Sequence, residues 1–138
     1  MNTLNATDLR IGNYIEVSFL QDNGKFKYEM IQVIANTIKD AERYGNEWDA
    51  RPIPLSEGWL LKAGFEKGKG LYSQWYFIQL LGTEFYLRPN FLGGYLWGFD
   101  LEIASGYELN DAQPIQYLHQ LQNLWKELSG NELMFKEK

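Results

Sequence analysis

The sequence predicts an α+β fold: an antiparallel, β-rich sheet or partly open barrel, with a short central helix and a longer C-terminal amphipathic helix. Three observations predict it. Period-two apolar alternation runs through residues 14–34 and 83–103, Asn-Gly and Gly-Gly pairs punctuate those runs, and residues 117–128 carry an apolar stripe at helical spacing.

In the first strand Ile15, Val17 and Phe19 alternate with Tyr14, Glu16 and Ser18, which puts one set against a core and the other in water. Asp22-Asn23-Gly24-Lys25 then supplies a hairpin turn, because Asn and Gly tolerate the positive φ such turns require. Along residues 26–34 the apolar phase switches from Phe26, Tyr28 and Met30 to Ile31 and Val33, so a bulge or a strong bend is expected near Met30-Ile31. Residues 35–54 are polar with little periodicity, and a further short strand is the one element they suggest. Ser56 fits an N-cap, Trp59, Leu60 and Ala63 an apolar helical face, and Gly64 the C′ position, together a helix of about two turns.

A Gly68-Lys69-Gly70 turn leads into residues 71–81, which are apolar on both faces, as a central strand covered twice would be. Residues 83–88 place Phe85 and Leu87 on one side and Glu84, Tyr86 and Arg88 on the other. After Pro89-Asn90 and a Gly93-Gly94 turn, Tyr95, Trp97, Phe99, Leu101 and Ile103 share one face and Gly98, Asp100 and Glu102 the other, completing an antiparallel meander. A loop over residues 104–113 precedes a helix beginning near Pro114, a residue suited to a first helical turn. The 138 residues contain no repeat and no Pro-, Gly- or Ser-rich linker, so one α+β domain over 1–138 is expected, any internal seam falling near 36–52.

Composition narrows function mainly by exclusion. Hydrophobic residues at 45% and charged residues at 22% fit a globular chain, and the 16% aromatic content supplies core, since each buried ring removes on the order of 150–250 Å² from water. Without cysteine there are no disulfides, thiolate zinc sites or thiol nucleophiles. The N-terminal stretch lacks the basic and apolar regions of a signal peptide, and no apolar run approaches the roughly 18 residues of a membrane span, so a cytoplasmic protein with no membrane partner is expected. The net charge of −5 provides no broad positive field for nucleic acid, which leaves only a local basic patch for that role.

His119 is the only histidine. At about 100° per residue, Tyr117, Leu118, Leu121, Leu124, Trp125 and Leu128 fall within roughly 120°, whereas His119 points about 160° from the stripe's centre, beside Gln116, Gln122, Asn123 and Lys126. Amides make paired donor and acceptor contacts, so Gln116, His119, Gln120 and Asn123 form a candidate docking surface. The plainer reading is a wet helix face, or one whose amides bond to a neighbouring loop. No serine or cysteine motif makes His119 a catalytic base, no second histidine makes it a metal ligand, and no cofactor is expected.

The stretches PIPLSEGWLLKAGFEKG and YLHQLQNLWKELSGNEL, together with the opening LRIGNYI, resemble segments shared by small uncharacterised bacterial proteins of prophage-like and other mobile regions. Residues 119–124, His-Gln-Leu-Gln-Asn-Leu, are the most specific part. The resemblance implies a genomic setting and no activity, cofactor or catalytic residue.

Two further groups carry chemistry. Lys67, Lys69 and Arg88 with Tyr86 outline a surface for single-stranded nucleic acid, and the rings between Tyr72 and Phe99 serve either as a stacking platform or, by their alternation, as core. Asp100 and Glu102 project from one strand face, either as an acid/base or cation site or as the strand's wet side. The leading expectation is a non-enzymatic module that binds a protein partner or itself, followed by a single-stranded nucleic-acid binder, with a carboxylate-dependent enzyme last.

Overall fold

The structure, a computed structural model of the chain, describes residues 4, 9–44, 48–80, 82–103 and 114–136. Its elements are β1 (Tyr14–Leu20), β2 (Phe26–Gln32), α1 (Ala35–Tyr44), β3 (Ala50–Pro52), α2 (Glu57–Lys62), β4 (Glu66–Lys67), β5 (Tyr76–Leu80), β6 (Thr83–Leu92), β7 (Tyr95–Ile103) and α3 (Leu118–Ser129). The strands form two antiparallel sheets, ordered β2-β1-β3 and β4-β5-β6-β7, so the α+β class read from the sequence is the one observed. The chain divides into two compact units, Met1–Pro54 with Tyr117–Glu132, and Leu55–Gln116 with Leu133–Lys138.

In the first unit, alternation in β1 turns Ile15 and Val17 toward a cluster of Leu4, Val33, Ala41, Trp48 and Ala50, against which Leu9, Ile31 and Ile38 also pack. The expected bulge is absent. β1 and β2 pair in unbroken register from Tyr14↔Gln32 to Leu20↔Phe26. Ile31 and Val33 face the core, while Phe26 and Met30 lie exposed on the outward side of an edge strand. The apparent phase switch is thus apolar residues on the solvent face.

Helix α1 occupies residues for which the sequence suggested only a strand. Its start is tied by Thr37 Oγ1, which accepts from the Ile34 amide at 3.2 Å, while the Thr37 amide donates to the Ile34 carbonyl at 3.0 Å. Only Thr37, Ile38 and Ala41 turn inward, a stripe too narrow to stand out in a polar segment. The short strand that residues 35–54 suggested is β3, paired to β1.

In the second unit α2 forms as its caps dictate. Ser56 Oγ accepts from the Trp59 amide at 3.4 Å, and Gly64 takes φ 98° beyond the last turn. The long central strand expected over residues 71–81 is cut to β5. Residues Gly70–Tyr72 instead make a 3₁₀ turn, which lets the Gly68 amide reach the Trp75 carbonyl at 2.8 Å. Gly68 is required for that fold-back, since a Cβ there would stand 2.2 Å from the Tyr72 carbonyl oxygen. Leu71 and Tyr72 are therefore exposed, not core. β6 extends beyond the expected residue 88, through Pro89, to a register shift at Asn90/Phe91. Leu60, Phe65, Tyr76, Leu87, Phe99, Leu101 and Ile115 are buried in this unit.

The C-terminal helix begins at Leu118, not at Pro114. Ile115 is drawn into extended pairing with Phe99, their amides and carbonyls exchanging bonds of 2.7 and 2.9 Å, and Tyr117 bridges to Pro54. The expected loop over residues 104–113 lies outside the described residues.

Candidate functional site

The amide-rich side of α3 is committed inside its own unit. The helix buries Leu118, His119, Leu121, Gln122 and Trp125, an arc turned roughly 80° from the apolar stripe toward the amides. His119, expected to look away from the core, is 4% exposed, its ring stacked on Tyr117 at 6.1 Å, while Leu128 of the expected stripe is exposed. The reason is a polar turn at residues 10–14 that matches the helix group for group. Gln122 Oε1 accepts from the Tyr14 amide at 2.9 Å, and its Nε2 donates to the Gly12 carbonyl at 3.1 Å. Asn123 Oδ1 accepts from Asn13 Nδ2 at 2.8 Å and from Arg10 Nε at 3.1 Å. Arg10 also donates to the Gln122 carbonyl at 3.1 Å and pairs with Glu132 at 2.5 Å.

The four residues read as a docking surface are thus not one patch. Gln116 belongs to the second unit, where its Nε2 donates to the Trp97 carbonyl at 3.1 Å, and Gln120 is exposed with its Oε1 accepting from the Tyr117 amide in a capping box. Asn123 latches the 10–14 turn, and His119 is buried. Gln122, on the same flank but outside that set, is the most deeply placed of the amides. The neighbouring-loop alternative describes this face.

The basic and acidic candidates converge on the β6–β7 sheet. Register places Arg88 opposite Asp100 and Tyr86 opposite Glu102. Both acids, read as the strand's wet side, are 5% and 6% exposed. Arg88 bridges them: Nη2 lies 3.3 Å from Asp100 Oδ2, and Nε donates to Glu102 Oε2. Asn90 Nδ2 donates to Asp100 at 3.1 Å and the Tyr86 hydroxyl to Glu102 Oε1 at 3.3 Å. Burial first, then the Glu102 charge, pushes the Tyr86 phenol above its ordinary pKa. The cluster locks two strands in register, as opposed charges directly across a ladder do. Both Glu102 carboxylate oxygens and Asp100 Oδ2 are engaged in this pairing.

Lys67 is similarly spoken for. Its Nζ lies 2.7 Å from Glu57 Oε1, a bond that raises the lysine pKa and lowers that of the glutamate. Lys69 caps the exposed 3₁₀ turn without joining this pair. The rings of Tyr72, Trp75, Phe77 and Tyr86 pack chiefly on one another, with centroids 5.3 Å apart for Tyr72–Trp75 and 5.4 Å for Trp75–Tyr86.

Besides Leu20 and Phe26 at the end of the β1–β2 hairpin and Leu71 on the 3₁₀ turn, exposed apolar side chains gather at the tip of the β6–β7 hairpin. β5 pairs only with Thr83 to Leu87, so the hairpin beyond Leu87 overhangs that strand. Gly93 and Gly94, at φ 60° and 85°, close the turn. Around it Phe91, Leu92, Tyr95, Leu96 and Trp97 are 49%, 61%, 81%, 52% and 40% exposed. Sequence alternation had put Tyr95 and Trp97 on the core face; the register shift at Asn90/Phe91 skips Trp97 and breaks that alternation, and Tyr95 pairs with Leu92 at the overhanging end. The available signal was a run without charge, residues 89–99, centred on a Gly-Gly turn.

Among the described residues no group of three or more His, Asp or Glu is placed to hold a metal ion, and no helix is long and apolar enough to cross a membrane. Compared with protein-family models, curated protein sequences and solved structures, the chain matches none.

Proposed function

We propose that this chain is a non-catalytic binding module that docks on another protein through the apolar tip of the β6–β7 hairpin, in the cytoplasm and in the phage or mobile-element setting that its segment resemblance implies. One observation supports the reading above the rest: five large apolar side chains, shared between the two faces of one hairpin tip, stand 40–81% exposed. The largest exposed apolar surface of a folded chain is often a functional one. Trp, Tyr and Phe are also the side chains that carry the largest binding energies at protein interfaces.

The nucleic-acid reading is weaker on charge grounds. Lys67 is neutralised by Glu57, and the Arg88 guanidinium faces two carboxylates, so the expected basic surface offers little net positive charge. Photo-crosslinking in the host cell tests the proposal, with p-benzoylphenylalanine in place of Tyr95 or, as the control, in place of the exposed Glu84. The expected result is a discrete protein adduct from position 95 and none from position 84. Equal labelling from both positions, or no adduct from 95, would count against the hairpin tip as a docking site.

A further inference from the structure

We infer that two copies of this chain pair edge to edge through β2, antiparallel about a two-fold axis at Tyr28, on a surface separate from the hairpin tip. Three observations carry this.

The first is an open edge. β2 ends the three-stranded sheet, and among the described residues no strand lies on its outer side. It has seven residues, no proline and an unbroken register with β1, so it lacks devices that usually blunt an edge. At its two ends the Gln21 amide donates to the Lys25 carbonyl at 2.8 Å and the Val33 amide to the Asn13 carbonyl at 2.7 Å. Odd-numbered residues of β2 thus direct their main-chain groups to β1, and alternation turns those of Phe26, Tyr28 and Met30 outward. By contrast, β3 and β4 have three and two residues, and Ile115 bonds to β7 at Phe99.

The second is the order of charges. With Tyr28 facing the partner's Tyr28, Lys27 stands across from the partner's Glu29, and Glu29 from the partner's Lys27, in close non-hydrogen-bonded pairs. The adjacent registers that keep outward main-chain groups matched centre on Lys27 or on Glu29, and set that residue against its own copy. Like charges directly opposite repel, so the strand selects one register of one partner.

The third is the side chains. The same register sets Phe26, 69% exposed, against the partner's Met30, 49% exposed in each copy, and does so twice. Tyr28 leaves the axis clear: the Arg51 guanidinium lies 3.7 Å over its ring and its hydroxyl donates to Asp49 Oδ1 at 2.5 Å, which draws it across β1 toward β3. The copies then exchange about six main-chain hydrogen bonds, the contacts from which strand addition gains its affinity.

Sedimentation equilibrium of the full chain over ~1–100 µM tests this, alongside Lys27→Glu, Glu29→Lys and the Lys27→Glu/Glu29→Lys exchange. The unaltered chain is expected to show a monomer–dimer equilibrium. Each single change sets like charges across both pairs and should weaken dimerisation about tenfold or more, and the exchange should restore it to within about threefold. The single changes shift net charge in opposite directions, so a loss common to both is not general repulsion. All three variants alter exposed side chains and should melt with the parent. Oxidative crosslinking reads the register, since the chain has no cysteine of its own. Tyr28→Cys puts the two Cα atoms about 5.5 Å apart, within disulfide reach, whereas Met30→Cys leaves them about 14 Å apart. A parent that stays monomeric overturns the β2 pairing. So do single changes that dimerise as well as the parent, an exchange that fails to restore dimerisation, or equal crosslinking from positions 28 and 30.

Discussion

Helix α3 and the β6–β7 hairpin tip break the usual rule in opposite directions. The helix buries Gln122 at 2% exposure and holds Asn123 against Arg10 and Asn13, while the hairpin leaves Tyr95 at 81% and Leu92 at 61% in water. What separates them is the availability of matched partners. The 10–14 turn supplies an amide, a carbonyl, an Asn and an Arg at hydrogen-bonding distance, so burying amides there costs little. The hairpin reaches beyond the strand that would cover it, and so its rings find no core. Polarity names the contacts a residue can make; topology decides whether they are within reach.

Five substitutions sharpen the contrast. The largest effect is expected from Leu121→Ala, whose side chain is fully buried on α3: a loss of about 2–5 kcal/mol in denaturant unfolding, reflecting lost transfer energy and the cavity left behind. Next, Gln122→Ala should cost about 1–3 kcal/mol, because the Tyr14 amide and Gly12 carbonyl lose their partner in a buried setting. A cost near zero for Gln122→Ala would mean that water replaces the amide, and that the latch is not a stabilising feature. Asn123→Ala should cost a similar amount, because Asn13 Nδ2 and Arg10 Nε lose their shared acceptor.

By contrast, Tyr95→Ser alone should change unfolding free energy by less than about 0.5 kcal/mol, as exposed positions do. A larger loss in unfolding measurements would show the tip to be packed within its own unit. The smallest effect concerns Glu57 and Lys67. The lysine bond depresses the Glu57 pKa, so its contribution to stability is present above the unfolded-state value and fades as pH falls through the lower folded value. Lys67 is shifted upward, so its contribution is complete below the unfolded-state value and is lost only in strong alkali. Carboxyl NMR titration of Lys67→Met should return the Glu57 midpoint toward the ordinary glutamate range; an unmoved midpoint would assign the shift elsewhere.

Local signals in the sequence were strong where one element contains its own instructions. Asn23-Gly24 set the first hairpin, Ser56 and Gly64 bracketed α2, and alternation through residues 83–103 gave β6 and β7 with Leu87 and Leu101 inward. Helix α1 escaped because three inward residues in a charged segment do not make a stripe. The strand expected from residue 71 failed because the backbone bonds of residues 68–75 close a turn, and apolar content alone cannot distinguish a doubly covered strand from exposed apolar residues. Of the candidate sites, the amide face was visible as unusual, but its destination was not.

Periodicity, caps and turn residues determine elements because each acts over a few bonds, and so the α+β class, both hairpins and the identity of α3 were set by the sequence alone. Tertiary structure decided which face of α3 goes inward, that Asp100 and Glu102 are buried around Arg88, and that the rings of the second hairpin's tip stay in water. Each of those outcomes depends on groups brought together from distant positions: Arg10 lies more than a hundred residues from Asn123, and a strand's overhang is set by the length of its neighbour. A local pattern fixes how a segment folds, but burial is a property of what the rest of the chain places beside it.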